Sequence, residues 1–80
     1  MPRTSANADP VLGAVLRRFR EERGTTLEVV AFHAGVTYST LGRIELGQAN
    51  PTWMTVRRVA RALDVTLLEI ATAVERAEAQ

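Results

Sequence analysis

The chain has 80 residues, of which 46% are hydrophobic and 24% charged, the composition of one ordinary globular domain. It contains no apolar run of the roughly 20 residues that a membrane span needs, no signal-peptide pattern and no cysteine. These features argue against a membrane protein, a disulfide framework and a thiolate metal site, and we expect a cytoplasmic protein.

Charge is unevenly distributed along the chain, although the net charge is only +1. Residues 1–63 hold nine arginines and five acidic residues, whereas residues 64–80 hold one arginine and four acidic residues. All ten basic residues are arginine. Two explanations of that choice stay open: guanidinium groups suit bidentate contacts to phosphate and guanine, and a GC-rich coding bias also enriches arginine.

The pattern at the start of the chain predicts a flexible arm over residues 1–8, followed by a domain over residues 9–65 and a separate C-terminal helix over residues 66–80. Asp9 can cap the first helix, with Pro10 at its first position, where a missing N–H costs nothing. The apolar residues that follow recur at helical spacing until Gly24, which is a typical residue just after a helix end.

Two short helices are predicted next, on either side of a glycine. Thr25 and Glu28 have the spacing of a capping box, and the helix is expected over residues 27–34, ended by Gly35. Thr37 can cap a third helix over residues 38–46, which Gly47 ends.

The remaining sequence predicts two further helices and no strand. Asn50 and Pro51 repeat the pattern of a cap followed by proline, and the fourth helix runs to about Leu63 with Trp53 on its apolar face, in the core. Thr66 and Glu69 form a second capping box, which starts the fifth helix. The expected fold class is therefore all-α, a compact arrangement of five helices.

Two short helices joined by a tight glycine turn form a helix-turn-helix, in which the second helix presents its N-terminal side chains to base edges. The chain also resembles the lambda-repressor-like (Cro/Xre type) family of transcriptional regulators over about residues 11–70. The resemblance rests on four segments: Gly24-Thr25-Thr26, Ala31-x-x-Ala34-Gly35-Val36-Thr37, Ile44-Glu45-x-Gly47-x-x-Asn50-Pro51 and Ala60-x-Ala62-Leu63-x-Val65.

This resemblance implies a recognition helix in the major groove, with Tyr38, Ser39 and Arg43 at the base-facing positions. Arg43 could bond O6 and N7 of guanine together, and the alternatives are a phosphate contact or a solvated surface arginine. Tyr38 could stack on a thymine methyl group, bond a phosphate or pack on its own helix. The residues expected beside the DNA backbone are Thr26, Leu27, Thr37, Thr40, Gln48 and Asn50.

The resemblance has two departures and one further implication. Leu27 stands where the family usually has a glutamine that bonds phosphate and braces the first reading side chain, so only backbone N–H groups there could meet a phosphate. Leu46 replaces a residue that is usually polar. Glu45 occupies the position of an acid that pairs with an arginine of the first helix, here Arg20, which would be a structural salt bridge. Asn50 has a second possible role, as the cap of the fourth helix.

Oligomerisation is predicted from the fifth helix, whose apolar stripe would either cover the first helix or form a homodimer on a roughly palindromic operator. The dimerisation residues would be Leu67, Ile70, Val74 and Ala77. Val29 and Phe32 could contact a protein partner, such as a toxin or an RNA polymerase subunit, or fold over the neighbouring core. An antitoxin or a restriction–modification controller protein is the alternative function.

Catalysis and metal binding are not expected. His33 has no cysteine in the chain to join it and no acidic residue three or four positions away, and the serines lack a plausible base. There is no glycine-rich phosphate loop with a lysine. We therefore expect no enzyme activity, no metal and no cofactor.

Overall fold

The computed structural model describes residues 8–80, so that almost all of the predicted N-terminal arm lies outside the described residues. This part of the chain contains five helices and no strand, as expected. The helices are α1 (Pro10–Glu22), α2 (Leu27–Ala34), α3 (Tyr38–Glu45), α4 (Trp53–Ala62) and α5 (Leu67–Glu78).

Each helix starts at a side chain that accepts a hydrogen bond from the first turn, and two of the predicted caps were wrong. Thr26, not Thr25, caps α2, because its Oγ1 accepts from the backbone N of Val29 at 3.2 Å. Glu28 is therefore one position too early for the reciprocal bond of a capping box. The predicted box of α5 is present in both directions, between Thr66 and Glu69. Those hydrogen bonds hold the pKa of Glu69 below its ordinary value.

The cap of α4 is Thr52, not Asn50. Thr52 Oγ1 accepts from the backbone N of Thr55 at 3.1 Å, so that the helix begins two residues later than the proline rule suggested. Asn50 instead accepts a hydrogen bond from the backbone N of Asp9 at 2.7 Å through its Oδ1. It therefore joins the loop after α3 to the start of α1.

The core is formed by all five helices, with α1 packed on α3 and α5 and with α2 packed on α3 and α4. Its most deeply buried large side chains are Leu16, Val30, Leu41, Ile44 and Val59. Helix α5 contributes Ile70 and Ala73, which are buried within their own chain.

Trp53 does not belong to this core, contrary to its prediction: 64% of its surface is exposed. It is the first residue of α4, one turn before the first buried residue of that helix, Val56. The helical spacing correctly placed it in line with the apolar face, but the core ends before that first turn.

Helices α1 and α3 approach each other most closely at Gly13. A Cβ atom at this position would collide with the carbonyl oxygen of Ile44 and would lie 3.1 Å from that of Glu45. Backbone carbonyls cannot move aside as the end of a side chain can, so this contact requires glycine. The other helical glycine, Gly42, faces only the Cδ2 of Leu27, at 3.3 Å from an added Cβ.

We expect Gly13→Ala to lower the free energy of unfolding by about 1–3 kcal/mol, the usual cost of overpacking, even though alanine is the better helix former. Gly42→Ala is the matched control and should be close to neutral, because the Leu27 side chain can adjust. Urea denaturation of both variants measures the difference. Equal destabilisation by both substitutions would contradict a specific requirement at Gly13.

Candidate nucleic-acid interface

The turn between α2 and α3 is tight because Gly35 adopts a left-handed conformation, with φ at 73°. The backbone N of Gly35 donates to the carbonyl of Phe32 and that of Val36 to the carbonyl of Ala31. A side chain at Gly35 would be strained at this positive φ, since L-residues rarely adopt it. The chain consequently changes direction within three residues, and Thr37 already caps α3.

Helix α3 has one face turned into the core and the other turned to solvent. Leu41, Ile44 and Glu45 are buried, whereas the residues predicted to read bases, Tyr38, Ser39 and Arg43, are all exposed. At 100° per residue, these three exposed side chains fall on one arc of the helix that runs from Tyr38 to Arg43. The outer face of α3 therefore presents a phenol, a hydroxyl and a guanidinium group together.

Arg43 is available to bind an external group. It forms no ion pair with any residue in 8–80, in contrast to Arg17, Arg18 and Arg20 of α1, each of which pairs with a glutamate. Its guanidinium can donate two parallel hydrogen bonds, as guanine recognition requires. Its assigned role in reading bases stays a prediction.

The threonines predicted to meet the DNA backbone all lie at helix starts. Thr37 Oγ1 accepts from the backbone N of Thr40 at 3.0 Å and donates to the Thr40 hydroxyl at 2.8 Å. The Thr40 hydroxyl keeps its own proton for an external acceptor, and so does Thr26, which acts as an acceptor in its cap. Gln48 is exposed in the loop that follows α3.

Leu27 lies at the first position of α2, half-buried, with its side chain directed at Gly42 of α3. The side chain is thus a packing group, and any phosphate contact at this position belongs to the backbone. Together with Tyr38, Arg43 and Leu46, these two residues line an open groove of about 370 Å³ on the exposed side of α3. The sequence did not single out Gly42, because its contact with Leu27 joins two helices and depends on how they pack.

Arg20 and Glu45 form a bidentate ion pair beneath this groove. Arg20 Nε lies 2.8 Å from Glu45 Oε2, and Arg20 Nη2 lies 3.0 Å from Glu45 Oε1. The third donor, Nη1, bonds the carbonyl of Thr25 at 3.1 Å, just before α2. The side chains are 16% and 6% exposed respectively. The hydrogen bond to Glu45 raises the pKa of Arg20, so the arginine stays charged throughout the ordinary pH range.

The described residues show neither a metal cluster nor a membrane-crossing element. Residues 8–80 contain no group of three or more histidine and acidic side chains that could hold a metal ion. Among the same residues, no helix combines the length and apolar character that crossing a membrane requires.

Comparison with known proteins identifies the family. A family model described as a helix-turn-helix domain matches residues 11–73. The chain belongs to the helix-turn-helix family of DNA-binding transcriptional regulators, of the Cro/Xre type. It is 36% identical over 62 residues to an uncharacterized HTH-type transcriptional regulator, y4dJ, of Sinorhizobium fredii, a match that covers 78% of this chain and 80% of y4dJ. Two other curated HTH-type regulators are matched over 40% and 30% of their own length.

Solved structures show the same lambda-repressor-like fold. The clp gene regulator ClgR of Corynebacterium glutamicum superposes with a TM-score of 0.85 at 27% identity, covering 88% of this chain and 74% of ClgR. The restriction-modification controller protein C.AhdI of Aeromonas hydrophila superposes with a TM-score of 0.74 at 33% identity, covering 76% of this chain and 92% of C.AhdI. The helix-turn-helix of this family is the pair α2 and α3.

We expect Glu45→Ala to lower the free energy of unfolding by about 3–5 kcal/mol, because Arg20 would keep a largely buried charge without its partner. Glu21→Ala removes one partner of an exposed pair, in which Arg17 Nε lies 3.0 Å from Glu21 Oε2, and should lower the free energy of unfolding by less than about 1 kcal/mol. Urea denaturation measures both.

The double variant Arg20→Met/Glu45→Met separates the two causes of this loss. It should recover much of the stability lost in Glu45→Ala, since no uncompensated charge remains. A loss of stability in the double variant equal to the sum of the losses in Arg20→Met and Glu45→Met alone would show that the pair does not act as a unit.

Proposed function

We propose that this regulator binds a roughly palindromic operator as a homodimer, with α3 of each subunit in the major groove and Tyr38, Ser39 and Arg43 contacting base edges. The observation that carries the proposal is the outer face of α3, where an arginine without an ion pair among the described residues stands beside two exposed polar side chains. The proposal includes a cytoplasmic location, no cofactor and no enzymatic activity.

Arg43 is the residue proposed to discriminate between bases, by bonding O6 and N7 of one guanine in each half-site. Tyr38 and Ser39 would contact the neighbouring bases through a ring or hydroxyl. The sugar-phosphate backbone of the DNA would be contacted at both ends of this face. The N-terminus of α2 offers the backbone N–H groups near Thr26 and Leu27. The hydroxyls of Thr37 and Thr40 and the amide of Gln48 would contact further phosphates, and Asn50, whose Oδ1 accepts from Asp9, is proposed to meet the DNA backbone from the same loop as Gln48.

Dimerisation is proposed through α5, with its contact residues revised by the structure. Ile70 is only 4% exposed and fills the core of its own chain, so it cannot supply a contact to a second subunit. Leu67 and Val74 are half-buried, while Ala77 is exposed, as is Ala71, which lies between Leu67 and Val74 along the helix. We propose that the exposed parts of this stripe form the two-fold interface.

The size of the domain suits this arrangement. Its principal extents are 36 × 28 × 20 Å, so two copies side by side can place their recognition helices about one DNA turn, roughly 34 Å, apart. Helix α5 is packed on α1 and α4 rather than on α3, which leaves the reading face free.

Arg43→Ala should lower the affinity for the selected operator by at least about 10-fold, because it removes one bidentate base contact from each half-site, and leave binding to random DNA nearly unchanged. The operator would be obtained by selection from random duplexes, and affinities measured by fluorescence anisotropy at fixed salt. Arg76→Ala on α5 is the control and should change neither. An equal loss on both kinds of DNA would assign Arg43 to phosphate instead.

Ala71→Glu should shift the sedimentation equilibrium from dimer to monomer, since it places two charges opposite each other across the two-fold axis. The variant should keep its helical circular dichroism spectrum because Ala71 is exposed. Gln80→Glu adds the same charge beyond the end of α5 and should leave the dimer intact. A monomeric wild-type chain at concentrations that saturate the operator would contradict dimerisation.

A role as a restriction–modification controller is the second candidate, supported by the similarity to C.AhdI over most of that chain's length. Selected binding sites upstream of an endonuclease gene would favour it.

A protein partner at α2, either a toxin or an RNA polymerase subunit, also stays a prediction. It is supported by Phe32, which is 81% exposed and lies in a groove with Met54 and three arginines of α4. A stoichiometric complex that Phe32→Ser does not weaken would contradict that site.

A further inference from the structure

The groove on the reading face of α3 is unusually apolar for a surface that meets DNA. Leu46 is 63% exposed and Tyr38 58% exposed, and both line the groove beside Leu27. Around the axis of α3, Gly42 and Leu46 fall between Tyr38 and Arg43, at 100° per residue. Ser39 lies about 20° beyond Leu46, so the part of the proposed reading face next to Tyr38, at Gly42 and Leu46, carries groups that cannot form a hydrogen bond.

The shape of the groove depends on Gly42. An added Cβ there would lie 3.3 Å from Cδ2 of Leu27, so any larger residue would occupy the space above the leucine. The absence of a side chain at Gly42 leaves the Leu27 methyl groups and the Leu46 side chain on one concave surface. Leu27 also packs against the core, so only the end of its side chain can adjust.

The chemistry of the major groove limits what can fill such a surface. Base edges there present hydrogen-bond donors and acceptors, and the one apolar group among the four standard bases is the C5-methyl group of thymine. A polar edge placed against two leucines would lose its water without gaining a partner, which is costly.

We propose that the groove formed by Leu27, Tyr38, Gly42 and Leu46 binds the 5-methyl group of a thymine next to the guanine contacted by Arg43. The operator half-site would then contain a T·A pair that is selected by apolar contact rather than by hydrogen bonding. This inference rests on the proposed placement of α3 in the major groove, and it assigns a specificity role to Leu27 and Leu46.

Replacing thymine by deoxyuridine tests the inference, since it removes only the methyl group and leaves base pairing unchanged. Each thymine of the selected operator would be replaced in turn, and the dissociation constant measured by fluorescence anisotropy at fixed salt. One thymine per half-site, beside the guanine, should show an affinity loss of about fourfold, as expected for removing one methyl group from apolar contact. Thymines elsewhere should show no change.

Variants of the two leucines complete the test as a double-mutant cycle. In Leu46→Ala, deoxyuridine should cause little or no loss of affinity, because the methyl group no longer has its partner. Leu68→Ala is the matched control: Leu68 is an exposed leucine of α5, and the fourfold loss should persist in that variant. Leu27→Ala should act like Leu46→Ala, provided that its circular dichroism spectrum and thermal transition show a folded protein.

The outcomes separate this inference from the function on which it rests. An operator that is bound with high selectivity but tolerates deoxyuridine at every position overturns the methyl contact and leaves the proposed function standing. A deoxyuridine effect that stays fourfold in both Leu46→Ala and folded Leu27→Ala also overturns it. Failure to select any sequence from random DNA would instead refute the proposed operator binding.

Discussion

The ion pair between Arg20 and Glu45 fixes how the recognition helix is rotated. Glu45 is a buried residue on α3, and a carboxylate can remain there only while a guanidinium from α1 neutralises it. Because Leu41 and Ile44 point into the same side of the molecule, this anchor leaves Tyr38, Ser39 and Arg43 outside. Arg20 also bonds the carbonyl of Thr25, so the same guanidinium sets where the chain enters α2. One charged pair thereby ties together both helices of the DNA-binding motif and the helix that supports them.

Much of the fold could be predicted because the signals that start and end its helices are local in the sequence. Gly24, Gly35 and Gly47 each adopt a positive φ just after a predicted helix, and the capping box of α5 needs only two residues three positions apart. Local signals failed where two neighbouring residues were equally able to cap. Thr52 caps α4, whereas Asn50 bonds Asp9, which is 41 residues away along the chain. Sequence patterns contain no information on such a long-range partner.

In the candidate site, too, local patterns predicted some features, and others depend on contacts between distant parts of the chain. The resemblance to a family identified the positions on α3, since spacing along a helix determines which side chains share a face. Periodicity could not show where the core stops, so Trp53 was placed inside it and Ile70 on a dimer surface, whereas the structure leaves Trp53 exposed and buries Ile70. The contact between Leu27 and Gly42 joins two helices, and its effect on the groove follows only from their packing. The departure from the family pattern at Leu27 could thus be interpreted only once its contact with Gly42 was known.

Helix α3 has only eight residues, too few to be stable alone in water, so its structure depends on tertiary packing. That packing is supplied by Leu41, Ile44 and Glu45, none of which lies on the exposed arc. Side chains on the arc, such as Ser39 and Arg43, contribute little to the core and can change without unfolding the domain. The residues that stabilise α3 and the exposed side chains that are proposed to read bases are therefore different. Leu27, at the start of α2, packs against the core and also lines the groove, so a substitution there would affect stability as well as the proposed thymine contact.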